Sequence, residues 1–408
     1  MWAPRKRDSD ARSFYSSGRV FGRAFAVDWS RCNTERFRGM VAKDDDGGAA
    51  QGDTELAEVR AVLAARAPLI YAMFSYYCVA SEGFDRYVMG ESGFGRLVGD
   101  VRLADASSRS CKLSDLDTVF ISTNYEDRTT SSLEARRLND ANPDRALMRF
   151  EFLQLLVRLA VAKYVRDERC ELRDVSEALE LLFSEVLEPR LPPEARHAPD
   201  AFRRRRLYTR GVSDVFARNE ASLRAVFEIY AAGADMLVVT SEGRLMSDDE
   251  WEQLLVDVGL LEQQLGAAFG RREAALCFVW AQTFVTDEQK RRQKLTHLRY
   301  EDFLEAVARV TTFKPLPTAE QLRAHKASSA AHFFRQAEQG LHEGRALLKP
   351  VDWREEEQRD ESLVEKLEML LSIILERLDE DKDGAISKKD LASRRKALAN
   401  KQKGARTD

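Results

Sequence analysis

Apolar residues recur at three- and four-residue intervals over most of the chain, the spacing that buries one face of a helix. Such segments fall near 56 to 80, 92 to 104, 113 to 124 and 146 to 165, which predicts a four-helix unit over 56–165. A comparable set near 213 to 232, 247 to 266, 272 to 287 and 299 to 312 predicts a second unit over 213–316. Between them, 166–212 reads as a helical linker ended by Pro189, Pro192 and Pro193, which cannot continue a helix. A helical connector follows over 317–360, and 361–408 holds an amphipathic helix to residue 378 and then a basic tail. Residues 1–55 lack the helical period. Trp2, Phe14, Tyr15, Phe21, Phe25 and Trp29 interleave there with arginine, so an extended arm is expected, ordering on a partner or folding back over its own domain.

The two four-helix sets match residue by residue at their last helices. Glu151-Phe152-Leu153 parallels Asp302-Phe303-Leu304. Phe152, Leu155, Leu156 and Leu159 stand at the offsets of Phe303, Ala306, Val307 and Val310, and Arg158 coincides with Arg309. This pattern predicts an internal duplication.

Composition strengthens the helical reading. Ten prolines and 21 glycines in 408 residues fall below ordinary usage of about 5 % and 7 %. With 44 % apolar and 32 % charged residues, the expected fold is all-α. The net charge of −4 supplies no global field for nucleic acid. It is unevenly spread: residues 1 to 40 carry nine Arg/Lys against four Asp/Glu, and 388 to 408 carry eight against two. No run of 18 apolar residues predicts a membrane span, and the start has no secretory pattern. Five scattered cysteines without a CxxC pair point to reduced thiols in the cytoplasm.

The segment with the most specific chemistry runs from Asp379 to Asp390. Asp379, Asp381, Asp383, the Ala385 carbonyl, Ser387 and Asp390 occupy positions 1, 3, 5, 7, 9 and 12 of a twelve-residue loop, with Gly384 at the turn and Ile386 at position 8. Leu371, Ile374, Leu375 and Leu378 give the helix before it an apolar face. This stretch resembles the EF-hand calcium loop, whose oxygens surround a hard cation. The resemblance implies a calcium site at these six residues. Asp390 stands where the family usually has a bidentate glutamate, which brings magnesium into range, and Arg394 and Arg395 replace apolar positions of the exit helix.

An EF-hand exit helix commonly starts acid-Phe-Leu, so the resemblance extends to the repeated units. Counted back from Glu151, a loop offers Asp140, Asn142 and Asp144, with Leu147 at position 8, but Pro143 and Arg145 stand where free backbone and glycine are wanted. The loop ending at Asp302 offers Arg291, Gln293 and Leu295, which cannot hold a cation. Glu250 closes a loop that begins at Val239, and Gly93 closes another. Residues 67 to 165 and 222 to 312 thus resemble degenerate EF-hand pairs without metal, joined by one better hand at 361 to 398.

Other candidate chemistry is sparse. Arg203 to Arg206 reads as a solvated helix face in the linker, with a phosphate or acidic-surface clamp as the alternative. His325 and His332 fall seven apart on one expected helix face without a Glu or Cys to complete a metal set. Cys78 and Cys277 lie in apolar runs and are expected to be buried, and Trp251, Trp280 and Trp353 to be core or interface anchors. No phosphate-binding, dinucleotide, hydrolase or zinc-protease motif occurs, so no enzyme is expected. EF-hand arrays with an Arg/aromatic arm resemble the axonemal proteins of protist cilia and flagella. That resemblance implies a cytoplasmic scaffold or adaptor of the cytoskeleton, bound to tubulin, radial-spoke or dynein-associated proteins of a large assembly. The alternative it leaves is a calcium-sensing regulatory subunit of an enzyme or motor.

Overall fold

The computed structural model describes residues 1–32, 48–81, 86–124, 145–231, 244–261, 269–343, 348, 351–359, 361–379, 386–387, 389–390, 392–393 and 396. It is mostly helical. The chain forms two compact units that interleave in sequence. The N-terminal unit is Ser16–Ala198 with Phe284–Leu295; the C-terminal unit is Met1–Tyr15, Pro199–Thr283 and Thr296–Asp408.

Helix α1 (Ala3–Asp8) belongs to the C-terminal unit, and α2 (Gly18–Arg31) opens the N-terminal one. There α3 (Gly48–Ala65) and α4 (Ala67–Val79) are separated at Arg66, because Pro68 starts a new helix better than it continues one. Helix α4 leads to β1 (Met89–Gly90) and α5 (Glu91–Asp100), and α6 (Leu113–Thr123) leads to β2 (Ala146–Leu147) and α7 (Arg149–Ala160). The short strands pair antiparallel, Met89 opposite Leu147 and Gly90 opposite Ala146. Helix α7 lies at the centre: Phe152, Leu153, Leu155, Leu156 and Leu159 are fully buried, and Phe152 meets Phe74 at 5.4 Å. Each such ring or aliphatic side chain contributes about 1.5–3 kcal/mol by burial. Helix α8 (Val175–Leu181), extended by the wide turn Leu182–Leu187, packs on α3 and α7 through Leu179, Leu182 and Phe183.

The C-terminal unit repeats the order. Helices α9 (Arg210–Arg218) and α10 (Glu220–Tyr230) precede β3 (Met246–Ser247) and α11 (Asp248–Asp257). Helix α12 (Arg271–Ala281) precedes β4 (His297–Leu298) and α13 (Tyr300–Phe313). Met246 pairs with Leu298 and Ser247 with His297, again antiparallel. Every residue of α13 from Asp302 to Phe313 is buried, and Trp251 Nε1 donates to the Ala274 carbonyl at 3.0 Å. The unit is completed by α14 (Ala319–Ala324), α15 (Ala330–Glu338), α16 (Trp353–Gln358) and α17 (Val364–Leu378).

Several boundaries differ from those read along the sequence. The stretch 1–55 is not an extended arm where it is described: it forms α1, α2 and the start of α3, and Met1–Tyr15 belongs to one unit while the chain from Ser16 belongs to the other. Charges buried in both helices explain why, as shown below. Residues 166–212 are not a linker either, because an apolar face from Val175 to Leu187 is buried in one unit and Phe202 and Leu207 in the other. The amphipathic helix at the C-terminal end is α17, and its apolar face is covered within its own unit by α15 and α9. Arg335–Glu376 (3.1 Å) and Arg377–Glu338 (2.6 Å) border that packing.

Candidate functional site

The four helix–loop–helix units share a local device. Counted to a twelfth position at Gly93, Glu151, Glu250 and Asp302, their eighth positions are Met89, Leu147, Met246 and Leu298. These are the residues that face one another across the short strands. At the twelfth position an acid closes its own helix start. Glu151 accepts the Met148 amide (2.8 Å), Glu250 the Ser247 amide (2.8 Å) and Asp302 the Arg299 amide (3.2 Å). A carboxylate three residues into a helix satisfies an amide that the first turn leaves without a partner. Ser247-Asp248-Asp249-Glu250 carries the signature of that cap in plain sequence.

Gly93 is the exception. Ser81 Oγ donates to the Tyr77 carbonyl (3.0 Å) and accepts the Gly90 amide (2.9 Å), closing the loop where an acid would stand. A Cβ at Gly93 would lie 2.3 Å from Ser81 Oγ and 2.4 Å from the Tyr77 carbonyl oxygen.

Of the six residues of the expected metal loop, Asp379, Ser387 and Asp390 are described; Asp381, Asp383 and Ala385 lie outside the described residues, as do Asp140, Asn142 and Asp144 of the weaker loop. Asp379 ends α17. Asp390 accepts from the Ser387 amide (2.8 Å) and hydroxyl, and both hold its carboxyl below the usual range. The donors are all oxygens, a set suited to a hard cation. Among the described residues no three metal-ligating side chains stand together.

The strongest electrostatics are elsewhere. In the C-terminal unit α1 brings Arg5 to Glu305 (2.6 Å) and Asp302 (3.3 Å), and Arg203 and Arg309 meet the same Glu305 at 3.0 and 2.7 Å. Burial opposes ionisation of Glu305, yet Arg203, Arg5 and Arg309 together hold its carboxyl below the ordinary range. Arg203 also donates to the Trp280 (2.9 Å) and Gln282 (2.8 Å) carbonyls, and Arg309 reaches Glu357 (3.3 Å). The arginine run is a solvated face only in part: Arg204 and Arg205 are exposed, Arg204 over the Tyr15 ring (4.6 Å), but Arg203 and Arg206 are buried, the latter on Glu356 (3.3 Å). The wide turn Arg203–Leu207 directs both inward.

In the N-terminal unit α2 brings an acid. Asp28 accepts from Arg149 Nε (2.6 Å) and Nη2 (3.1 Å) and from the Tyr71 hydroxyl (2.9 Å). The Arg149 guanidinium lies over the Tyr71 ring (4.7 Å) and donates to the Val285 and Thr286 carbonyls (both 2.9 Å). Burial pushes the Asp28 carboxyl up despite Arg149.

The histidines do not share a helix face. His325 ends α14 and meets the His342 ring at a tilt (4.4 Å), whereas His332, in α15, takes the Ser328 amide (3.1 Å). Cys78 and Cys277 are buried, and burial pushes both thiols up. Trp251 and Trp280 are buried, and Trp353 stacks on Phe313 (6.0 Å) and meets Trp280 at a tilt (5.4 Å). No single helix among the described residues is long and apolar enough to cross a membrane. No family model, curated protein or solved structure matches the chain.

Proposed function

We propose that the chain is a non-catalytic scaffold of EF-hand type: two degenerate pairs that need no metal, and a C-terminal hand at Asp379, Asp381, Asp383, Ala385, Ser387 and Asp390 able to take calcium or magnesium. The observation that carries this reading is the pairing of eighth-position residues, Met89 with Leu147 and Met246 with Leu298, across two-residue antiparallel strands. Loops closed by caps and by Ser81 need no cation to hold their helices apart, so a partner helix would meet a permanent surface. The assembly we assign it to is the ciliary or flagellar axoneme, with tubulin or radial-spoke and dynein-associated proteins as partners. Exposed Lys6, Arg7 and Arg12 near the start would face their acidic surfaces.

Deleting residues 1–55 would remove Arg5 and Asp28 from buried networks, so the test uses full-length protein. Co-sedimentation with microtubules should be salt-sensitive and weakened in a Lys6→Glu/Arg7→Glu variant. A wild-type chain that stays in the supernatant at low salt removes tubulin from the reading. The spacing of oxygen donors from Asp379 to Asp390 favours a second reading, a calcium-sensing regulatory subunit. Calorimetry with calcium on wild type and Asp379→Ala decides it: heat lost with the substitution supports the sensor, and absence of heat from both rejects it.

A further inference from the structure

Residues 284–295 form a strap seated within the N-terminal unit. Phe284 meets the rings of Phe21 (4.7 Å) and Tyr71 (5.3 Å), and Asp287 pairs with Arg31 (2.7 Å). Arg292 lies over the Tyr87 ring (4.9 Å), and Leu295 packs on the cluster of Tyr87, Val88, Ala146 and Met148. In the middle sits Glu288, 1 % exposed, which accepts the Arg149 amide at 2.8 Å. No cationic group among the described residues lies within ion-pairing distance of its carboxyl, because the Arg149 guanidinium is spent on Asp28 and on the Val285 and Thr286 carbonyls. A buried carboxyl without an ion-pair partner keeps its proton.

We infer that Glu288 is a proton-dependent latch: while its carboxyl is protonated, residues 284–295 stay seated in the N-terminal unit, and loss of the proton to solvent drives them off it. The charged and titratable groups facing it are Asp28 and Arg31 of α2, Tyr71 and Cys78 of α4, and Arg149 of α7. Burial keeps Tyr71 and Cys78 neutral. Burial raises the Glu288 carboxyl to about 8, the Asp28 charge adding to this and Arg149 opposing it. Released into water, the same carboxyl titrates near 4.5. The seated strap thus holds one proton more between those values, and its opening becomes about tenfold easier per pH unit until about pH 8.

Hydrogen exchange of the amides of 284–295 in the full chain, corrected for the intrinsic pH dependence of exchange, tests this between pH 5.5 and 8.5. The opening constant should rise roughly a hundredfold from pH 5.5 to 7.5 and level off above about 8. Glu288→Gln, which keeps an acceptor for the Arg149 amide, should give a flat profile. An equal slope in the Gln variant overturns the latch. Should that variant not fold, the wild-type profile decides alone: no slope, or levelling already near pH 6, overturns it.

Discussion

Both units bury a charge delivered by the N-terminal segment, but the charges are opposite. Arg5 of α1 meets Glu305 on α13, and Asp28 of α2 meets Arg149 at the start of α7. Helices α7 and α13 share one apolar frame, in which Phe152 and Leu156 stand where Phe303 and Val307 stand. On that frame Gln154 occupies the place of Glu305, and Arg149 that of Tyr300. One unit therefore gathers three guanidiniums around the shared carboxylate of Glu305, with Asp302, Asp200 and Glu357 each pairing one of them; the other places a single guanidinium between Asp28 and the Val285 and Thr286 carbonyls. The apolar frame fixes the helices, and the polar network can move by half a turn or more without disturbing it.

The largest effect is expected where three cations share one buried anion. Glu305→Gln gives the C-terminal unit the residue its counterpart has at Gln154, but leaves Arg5, Arg203 and Arg309 buried without their shared partner. The loss should be about 3–5 kcal/mol at pH 7. Denaturant unfolding followed by tryptophan fluorescence reads it, since Trp2, Trp251, Trp280 and Trp353 are all in this unit. The sign with pH is also fixed. A carboxyl held below its ordinary range stabilises above that range and ceases to do so as pH falls through it. Wild type should lose this share on acidification below about pH 4.5, and the Gln variant should have none of it to lose.

Asp28→Asn makes the matching break in the other unit. Arg149 then loses its anion but keeps the Val285 and Thr286 carbonyls, so about 3 kcal/mol is expected. Trp29, one residue along α2, is the local probe. Equal losses for Asp28→Asn and Glu305→Gln would mean that the number of dependent cations does not set the cost. Next in size is Gly93→Ala, at about 1–3 kcal/mol by overpacking. Because the Tyr77 carbonyl as well as Ser81 Oγ blocks the added methyl, a Ser81→Ala background should not rescue it in thermal unfolding.

How much of this was legible follows from the range of each interaction. The helical period and the acid-Phe-Leu starts are local, so both helix–loop–helix sets could be placed from sequence, as could the burial of Cys78 and Cys277. The N-terminal segment could not. Arg5 and Glu305 lie 300 positions apart, and nothing near Arg5 announces a buried partner. The same holds for Arg203, whose neighbours suggest a solvated run, and for 284–295, which in sequence divides between the helical segment 272 to 287 and the degenerate loop ending at Asp302. The spacing of oxygens from Asp379 to Asp390 is plain in the sequence, and half of those positions lie outside the described residues. The capping role of Glu250 was present in its sequence signature but hidden behind its place as the last residue of a degenerate loop.

The smallest effect separates these two roles. Ser247 is the one residue at the starts of α5, α7, α11 and α13 whose side chain accepts from its own helix, taking the Glu250 amide at 3.3 Å. Ser247→Ala should cost about 1 kcal/mol. Glu250→Gln keeps an oxygen for the Ser247 amide and should cost less than that. If Glu250 serves only as a cap, neither substitution will change the melting temperature differently in calcium and in chelator. A calcium-dependent shift in Glu250→Gln alone would instead return a cation to the loop of the C-terminal unit, and with it a functional difference between two units that otherwise differ in where they bury charge.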